Sequence, residues 1–442
     1  MRLDATGGLS VRVAVIGCLA FFAGTSSGRA APPDSLTLDE AIRLALTNQP
    51  AVVQAEEGIA AAEARIGLSR SPFYPDISLS GLYTRIGPVP EFSFPNGLSE
   101  KLAPENNYDL HLGLRQTLYD FGKIAASVDL AEAGRQTAAD CLEQVKSNLA
   151  YRTIAVFNSI LILRRNVAVL GEQIDALNQH LEVSRKKVQA GTATDFDVLT
   201  TQVRLAAAQN DRIDAANNLE TQEILLRQLT GLAFDQPIRL KGDFAHTATA
   251  LDSTSLVEAA FQQRPELAVS RDAEASAGLQ VRLASLGDKP SLALNMSSGF
   301  RNGYPSNMDQ LKANYAAGLQ VQLPIFNGHR TRYQQYEAAA NLRSAQARSE
   351  DLKRQITADV QQAIARARAS WEKTQNAEVL VRQAEEAVSM AETRYEAGVV
   401  TNLDLLDAQT TLTQAKLGHL RARYAYSMSL VEVDKATGKK VW

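Results

Sequence analysis

Ala190-Gly191-x-x-Thr194-x-x-Asp197-x-Leu199-x-x-Gln202 returns downstream as Ala397-Gly398-x-x-Thr401-x-x-Asp404-x-Leu406-x-x-Gln409. The offset is 207 residues, Gly191 to Gly398. It also aligns Leu118-Tyr119-Asp120 with Ile325-Phe326-Asn327, and Thr230-Gly231 with Thr437-Gly438. Solenoid units repeat every 20 to 50 residues or so. This repeat is much longer, so the chain is a duplicated half-protein. Whatever it folds into must use two copies of one architecture.

The period of the apolar residues gives that architecture. Ile77, Leu79, Gly81 and Tyr83 alternate with Ser78, Ser80, Leu82 and Thr84; Tyr108, Leu110, Leu112 and Leu114 alternate with Asp109, His111, Gly113 and Arg115. A two-residue period predicts strands with one apolar and one mainly polar face, at about 76–86 and 108–118. The second half repeats the pair at about 291–300 (Leu292, Leu294, Met296) and 314–323 (Tyr315, Ala317, Leu319, Val321, Leu323). Proline-free helical patterns follow, about 122–189 and 329–396, each roughly 100 Å long if helical throughout. Gly191 and Gly398 are good helix stops. Thr194-x-x-Asp197 and Thr401-x-x-Asp404 have capping-box spacing and open further helices, about 194–230 and 401–437. Thr37 to Thr47 and about Pro50 to Ser71 read as two shorter helices at the start of the first half. The expected division is a first repeat at 31–236, a linker at 237–250 and a second repeat at 251–442.

Residues 1–30 read as an export signal, with Arg2 and Arg12 around an apolar run from Val13 to Ala23 and a cleavage site after Gly28-Arg29-Ala30. An alternative stays open: Val15-Ile16-Gly17-Cys18 loosely resembles a lipoprotein box with Cys18 lipidated. Elsewhere no stretch of about 18 apolar residues stands out, so no transmembrane helix is expected after the leader. Loss of the leader takes the net charge from −3 to about −5, which argues against nucleic acid as a partner. Cys141 would then be the sole cysteine, so no intrachain disulfide is expected. His111, His180, His246, His329 and His419 lack metal-ligand spacing. No phosphate loop or nucleophile motif stands out. No enzyme activity, metal or cofactor is expected.

Helices this long cannot be buried in an ordinary globule and should pack side by side as coiled coils. Four strands cannot close a membrane barrel, which needs at least about eight. Three chains would supply twelve strands and a ring of long helices. With these features in place the chain resembles the TolC-like outer-membrane efflux family. The likeness covers the duplication, both strand pairs, both long helices and both Ala-Gly-x-x-Thr-x-x-Asp-x-Leu turns. It is densest from Tyr395 through Asp407.

The resemblance implies a mainly α-helical homotrimer, with a twelve-stranded β-barrel in outer-membrane lipid joined to a helical tunnel through the periplasm. It implies an exit duct for efflux or type I secretion that meets a periplasmic adaptor, and through it an inner-membrane pump or ABC transporter. The turns with Gly191, Thr194, Asp197, Gly398 and Thr401 would form the adaptor-facing tip, besides capping helices. Asp404 and Asp407 would line the constriction as acidic rings favouring cations. Asp407 has Thr200 as its first-copy counterpart, so the duplication does not supply it. Tyr395 matches a tyrosine of the family's tip closure, while Val400 stands where an arginine can complete it. A poreless periplasmic adaptor or scaffold is the alternative; paired amphipathic strands, which such a scaffold does not need, discriminate against it. Residues 87–107, about eight longer than the second-half counterpart, should form a surface loop.

Overall fold

The computed structural model describes residues 35–442, apart from 94, 96, 98, 236, 245, 246, 305 and 306. The leader, Cys18 and His246 therefore lie outside the described residues. The elements run α1 (Leu38–Asn48), α2 (Pro50–Arg70), β1 (Asp76–Arg85), β2 (Glu91–Ser93), β3 (Ser99–Lys101), β4 (Asn106–Tyr119), α3 (Lys123–Gln189) and α4 (Asp195–Thr230). Then come α5 (Ser253–Gln263), α6 (Pro265–Ser285), β5 (Ser291–Arg301), β6 (Lys312–Gln322), α7 (Arg330–Glu396) and α8 (Asn402–Thr437).

The duplication extends to helix lengths. α1 and α5 have 11 residues, α2 and α6 have 21, α3 and α7 have 67, α4 and α8 have 36. The offset falls from 215 (Leu38 to Ser253) to 207 (Lys123 to Arg330) between the short and the long helices. The first half thus carries eight more residues between its strands. Part of that segment is ordered as the β2–β3 hairpin, which alternation could not reveal in strands of three residues.

Local chemistry fixes the joints. Thr37 opens α1 with a reciprocal capping box to Glu40. α2 and α6 both begin with proline, whose missing N–H would be unpaired there anyway. Both 36-residue helices close on a left-handed glycine, Gly231 (φ +71) and Gly438 (φ +73). Each glycine lies against the junction of the two short helices of its own half. A Cβ on Gly231 would sit 2.9 Å from Asn48 Cβ, and one on Gly438 would sit 2.7 Å from Arg264 N. Asn48 reinforces the first junction by donating to the Thr230 carbonyl at 2.7 Å.

The sheet has the order β1-β4-β5-β6, all antiparallel, so the two halves join through β4 and β5. Its register puts Ile77, Leu79, Tyr83, Tyr108, Leu110, Leu112, Met296, Phe300, Tyr315, Leu319 and Val321 on one face. That face is solvent-exposed in one chain, Tyr315 at 87% and Val321 at 72%. β1 and β6 are unpaired edges.

The two largest buried clusters among the described residues hold the helices. Phe157, Ile160 and Leu226 pack with Leu36, Ile238 and Phe244, so the linker is clamped across α3. Leu36 N donates to the Arg239 carbonyl at 2.7 Å, and Lys241 N to Leu36 O at 3.0 Å. The second core joins Ala260 and Leu267 to Ile356, Val360, Ile364 and Val433. One expectation needs correction. α3 contains an 18-residue window of mean hydropathy 1.5, apolar enough to cross a membrane. Its apolar side, with Phe157 and Ile160, forms the core just described.

Where α3 meets α6, two carboxyls face each other. Burial, followed by the Asp140 carboxyl beside it, pushes Asp272 up to about 6. No N–H or hydroxyl donor reaches the buried Asp272 Oδ2, so the pair hydrogen-bonds only when one member holds a proton. The folded chain therefore binds more protons than the unfolded chain between the ordinary aspartate range and about pH 6. Stability from this site is complete below that window and is lost as pH rises through about 6. Asp272→Asn should remove most of this pH dependence. Thermal unfolding at pH 5 and pH 7.5 should show the variant gaining about 1 kcal/mol relative to the parent at the higher pH, after discounting for solvent screening. Equal differences at both pH values would refute the shared proton.

Candidate functional site at the turns between the long helices

Both long hairpins turn at the same end. Gly191 and Gly398 each adopt φ +74, with open space where a Cβ would lie. Glycine is needed there for its backbone alone. Each turn is closed behind the glycine, Thr192 N donating to Lys187 O and Val399 N to Arg394 O, both at 2.8 Å. Thr194 N donates to Asp197 Oδ2 at 2.9 Å, and Thr401 N to Asp404 Oδ2 at 2.8 Å. Both threonine hydroxyls accept the return bond from the aspartate N–H. The Thr401 hydroxyl, and then its backbone N–H, hold the Asp404 carboxyl below its usual range.

The two copies differ in what surrounds these shared parts. Leu406 is buried at 1% exposure with Ile174, Leu177 and Ala208, whereas its counterpart Leu199 is 58% exposed. Phe196 and Val399 are also exposed, at 73% and 72%. The second hairpin therefore packs Leu406 into the first, while Phe196 and Leu199 of the first stay open, as does Val399 in the second turn.

A buried polar cluster makes this joint. Asn402 Nδ2 donates to the Asp197 carbonyl at 3.2 Å. That bond orients the amide so that Asn402 Oδ1 accepts from His180 Nε2 at 2.5 Å. His180 and Asn402 are 6% and 5% exposed. The His180 ring rests against Tyr395 with centroids 5.2 Å apart. Lys187 covers the other part of that ring, its Nζ 3.8 Å from the centroid, and donates to Tyr395 O at 2.8 Å. Tyr395 is consequently buried at 7%. Further along, Arg204 Nη2 reaches Asp407 Oδ1 at 3.0 Å, linking α4 to α8. Four of the residues singled out from sequence thus meet partners here: Asp197 through its carbonyl, Asp404 through Thr401, Asp407 through Arg204, and Tyr395 through Lys187 and His180. Gly191, Thr194, Gly398 and Thr401 shape the turns.

Lys187, Asn402 and Arg204 are not among the candidates read from sequence, and His180 figures there only as a histidine without metal-ligand spacing. A signal was present: at the 207-residue offset His180 faces Ala387, Asn402 faces Asp195, and Arg204 faces Thr411. Among the described residues no cluster of three or more His, Cys, Asp or Glu could hold a metal.

Known proteins share this architecture. The family described as outer membrane efflux protein matches residues 41–232 and 256–439, one match per repeat. The chain belongs to that family. It is 25% identical over 408 residues to the outer membrane protein TolC of Vibrio cholerae, covering 91% of this chain and 90% of that protein. It is 26% identical over 397 residues to TolC of Escherichia coli, covering 86% and 77%. Among solved structures, the CmeC outer membrane channel of Campylobacter jejuni superposes with a TM-score of 0.77 at 19% identity, covering 91% and 85%. The protein is an outer-membrane efflux channel that extends into the periplasm, not an enzyme, and the reading as a poreless scaffold falls.

Proposed function

We propose that three copies of this chain form a passive exit duct, a twelve-stranded barrel continued by a helical tunnel whose periplasmic end is the Gly191 and Gly398 turns. The observation that carries the trimer is the sheet: four strands with an exposed apolar face and two unpaired edges. In lipid every backbone group must be paired, so β1 of one chain has to meet β6 of the next. The exposed Phe196, Leu199 and Val399 supply apolar surface for neighbouring chains or a periplasmic adaptor. An inner-membrane pump or ABC transporter, in tripartite efflux or type I secretion, would supply the energy.

At the tip, Asp404 and Asp407 from three chains would face one axis and favour cations. Arg204 offsets part of the Asp407 charge through its ion pair. Single-channel recording in a lipid bilayer tests both points. Asp407→Ala should lower the cation preference, and Arg204→Ala should raise it by freeing the carboxylate. A protein that runs as a monomer in detergent and makes no pores would refute the duct. Pores with unchanged ion preference in both variants would refute the acidic rings.

A further inference from the structure

The polar face of the sheet carries a group that neither the fold nor the tip requires. Arg301 ends β5 and Lys312 begins β6, and the register places them directly opposite each other. They share a face with Gly299, Asn314 and Ser297, the face turned away from Leu110, Phe300 and Tyr315. Like charges opposite one another in a sheet are destabilising. Among the described residues neither has a carboxylate within ion-pair distance. Asp109 lies across β4 from Arg301, but its Oδ1 contacts His111 Nδ1 instead.

The neighbours hold the two cations in place without neutralising them. The Tyr304 ring has Arg301 Cζ 5.6 Å and Lys312 Nζ 5.9 Å from its centroid. Its hydroxyl accepts from Asn314 Nδ2 at 2.9 Å, and Asn314 Oδ1 in turn contacts His111 Nε2 at 2.6 Å. This chain of contacts fixes the aromatic plate between the strand ends. Gly299 lets β4 approach closely enough to bring His111 into it. A cross-strand cation pair, set on one ring and lacking an acidic partner, is an arrangement waiting for an anion.

We infer that Arg301, Lys312 and Tyr304 form an anion-binding site for solutes carrying phosphate or carboxylate groups. Arg301 gives the anion a forked pair of donors and Lys312 a point charge. The site lies at the strand ends farthest from the helices, since β1 and β5 leave the short helices and β4 and β6 return to the long ones. Its position inside the lumen rests on the trimeric duct proposed above, where three copies would give a ring of six cations at the outer mouth. Lipid phosphate is disfavoured as the occupant, because the site is on the face opposite the apolar one.

Inorganic pyrophosphate is the probe, titrated calorimetrically at low salt into the purified full-length protein in detergent. Saturable binding is expected, weakened by added salt. Arg301→Gln/Lys312→Gln should bind about tenfold more weakly or not at all, and Arg301→Lys should retain part of the affinity. Each glutamine variant should melt no lower than the parent, since it relieves a repulsion. Thus lost binding cannot be put down to unfolding. Absent binding in the parent, or equal binding in the double variant, overturns the site. Binding that instead follows vesicles containing anionic lipid, and is insensitive to pyrophosphate, overturns it too. Planar-bilayer recording separates this from the duct: a protein that binds pyrophosphate through Arg301 and Lys312 but forms no pores keeps the site and loses the channel.

Discussion

Asn402→Ala should produce channels that dwell open, with a mean conductance several-fold above the parent in a lipid bilayer. Asn402 hydrogen-bonds the second hairpin to both helices of the first, through the Asp197 carbonyl on α4 and His180 on α3. The alanine takes from the buried His180 Nε2 its 2.5 Å partner, leaving it only Ser184 Oγ at 3.4 Å, and removes one donor from the Asp197 carbonyl, which keeps Thr201 Oγ1. Each unpaired buried group costs about 1 to 3 kcal/mol, which is comparable with the whole bias expected between two packed states of a bistable joint. His180→Ala should act in the same direction but less, because it strands only the Asn402 oxygen. The double variant His180→Ala/Asn402→Ala should be no worse than Asn402→Ala alone, since removing both partners also removes the orphan. Leu406 remains buried and Lys187 still holds Tyr395 in all three, so the hairpins stay folded and only their docking is weakened. Parent-like conductance in Asn402→Ala would mean that this cluster does not hold the tip.

The cluster also replaces what the sequence left open at Val400. Without an arginine there, an amide, an imidazole and a lysine lying on a tyrosine ring hold the two hairpins of one chain together beside their turns. These contacts were not legible in sequence for a physical reason. His180 and Lys187 on α3 lie more than 200 residues from Asn402 and Tyr395, on helices rich in Ala and Gln where a polar residue usually faces water. Only the register between hairpins brings them together, and periodicity fixes the face of a helix but not its sliding position against another. By contrast, the long helices and the turns were legible because their signals are local: no proline for 67 residues, then glycine, then Thr-x-x-Asp. The strands declared themselves through Leu110-x-Leu112-x-Leu114 and its counterparts. Duplication implies a helical start to the second half too, but the residues of α5 and α6 are not marked by the 207-residue offset. The eight-residue difference between the strand connections shifts the offset from 207 to 215, so an ungapped comparison loses Pro50 against Pro265.

Gly299→Ala should abolish assembly, whereas Gly318→Ala should be tolerated. Both glycines lie on the polar face of the sheet, and at the level of strand propensity they are alike. Their surroundings separate them. A Cβ at Gly299 would lie 1.9 Å from the Leu110 carbonyl oxygen and 2.7 Å from His111 Cα, while at Gly318 nothing comes within 4 Å. The atoms in the way at Gly299 are backbone, so no rotamer change relieves them and the β4 and β5 strands must separate. Among the described residues that pair is the only seam between the two repeats within the sheet of one chain. Overpacking a core usually costs about 1 to 3 kcal/mol. Parting a strand pair adds unpaired ladder groups, each costing several kcal/mol in lipid. The expected readouts are loss of the heat-sensitive oligomer from outer-membrane extracts of Gly299→Ala and a normal yield for Gly318→Ala. Pyrophosphate binding should vanish with the same substitution, because His111 and Asn314 meet across this seam. If Gly299→Ala assembles and melts like Gly318→Ala, the close approach of β4 and β5 is not what joins the two halves of the barrel wall.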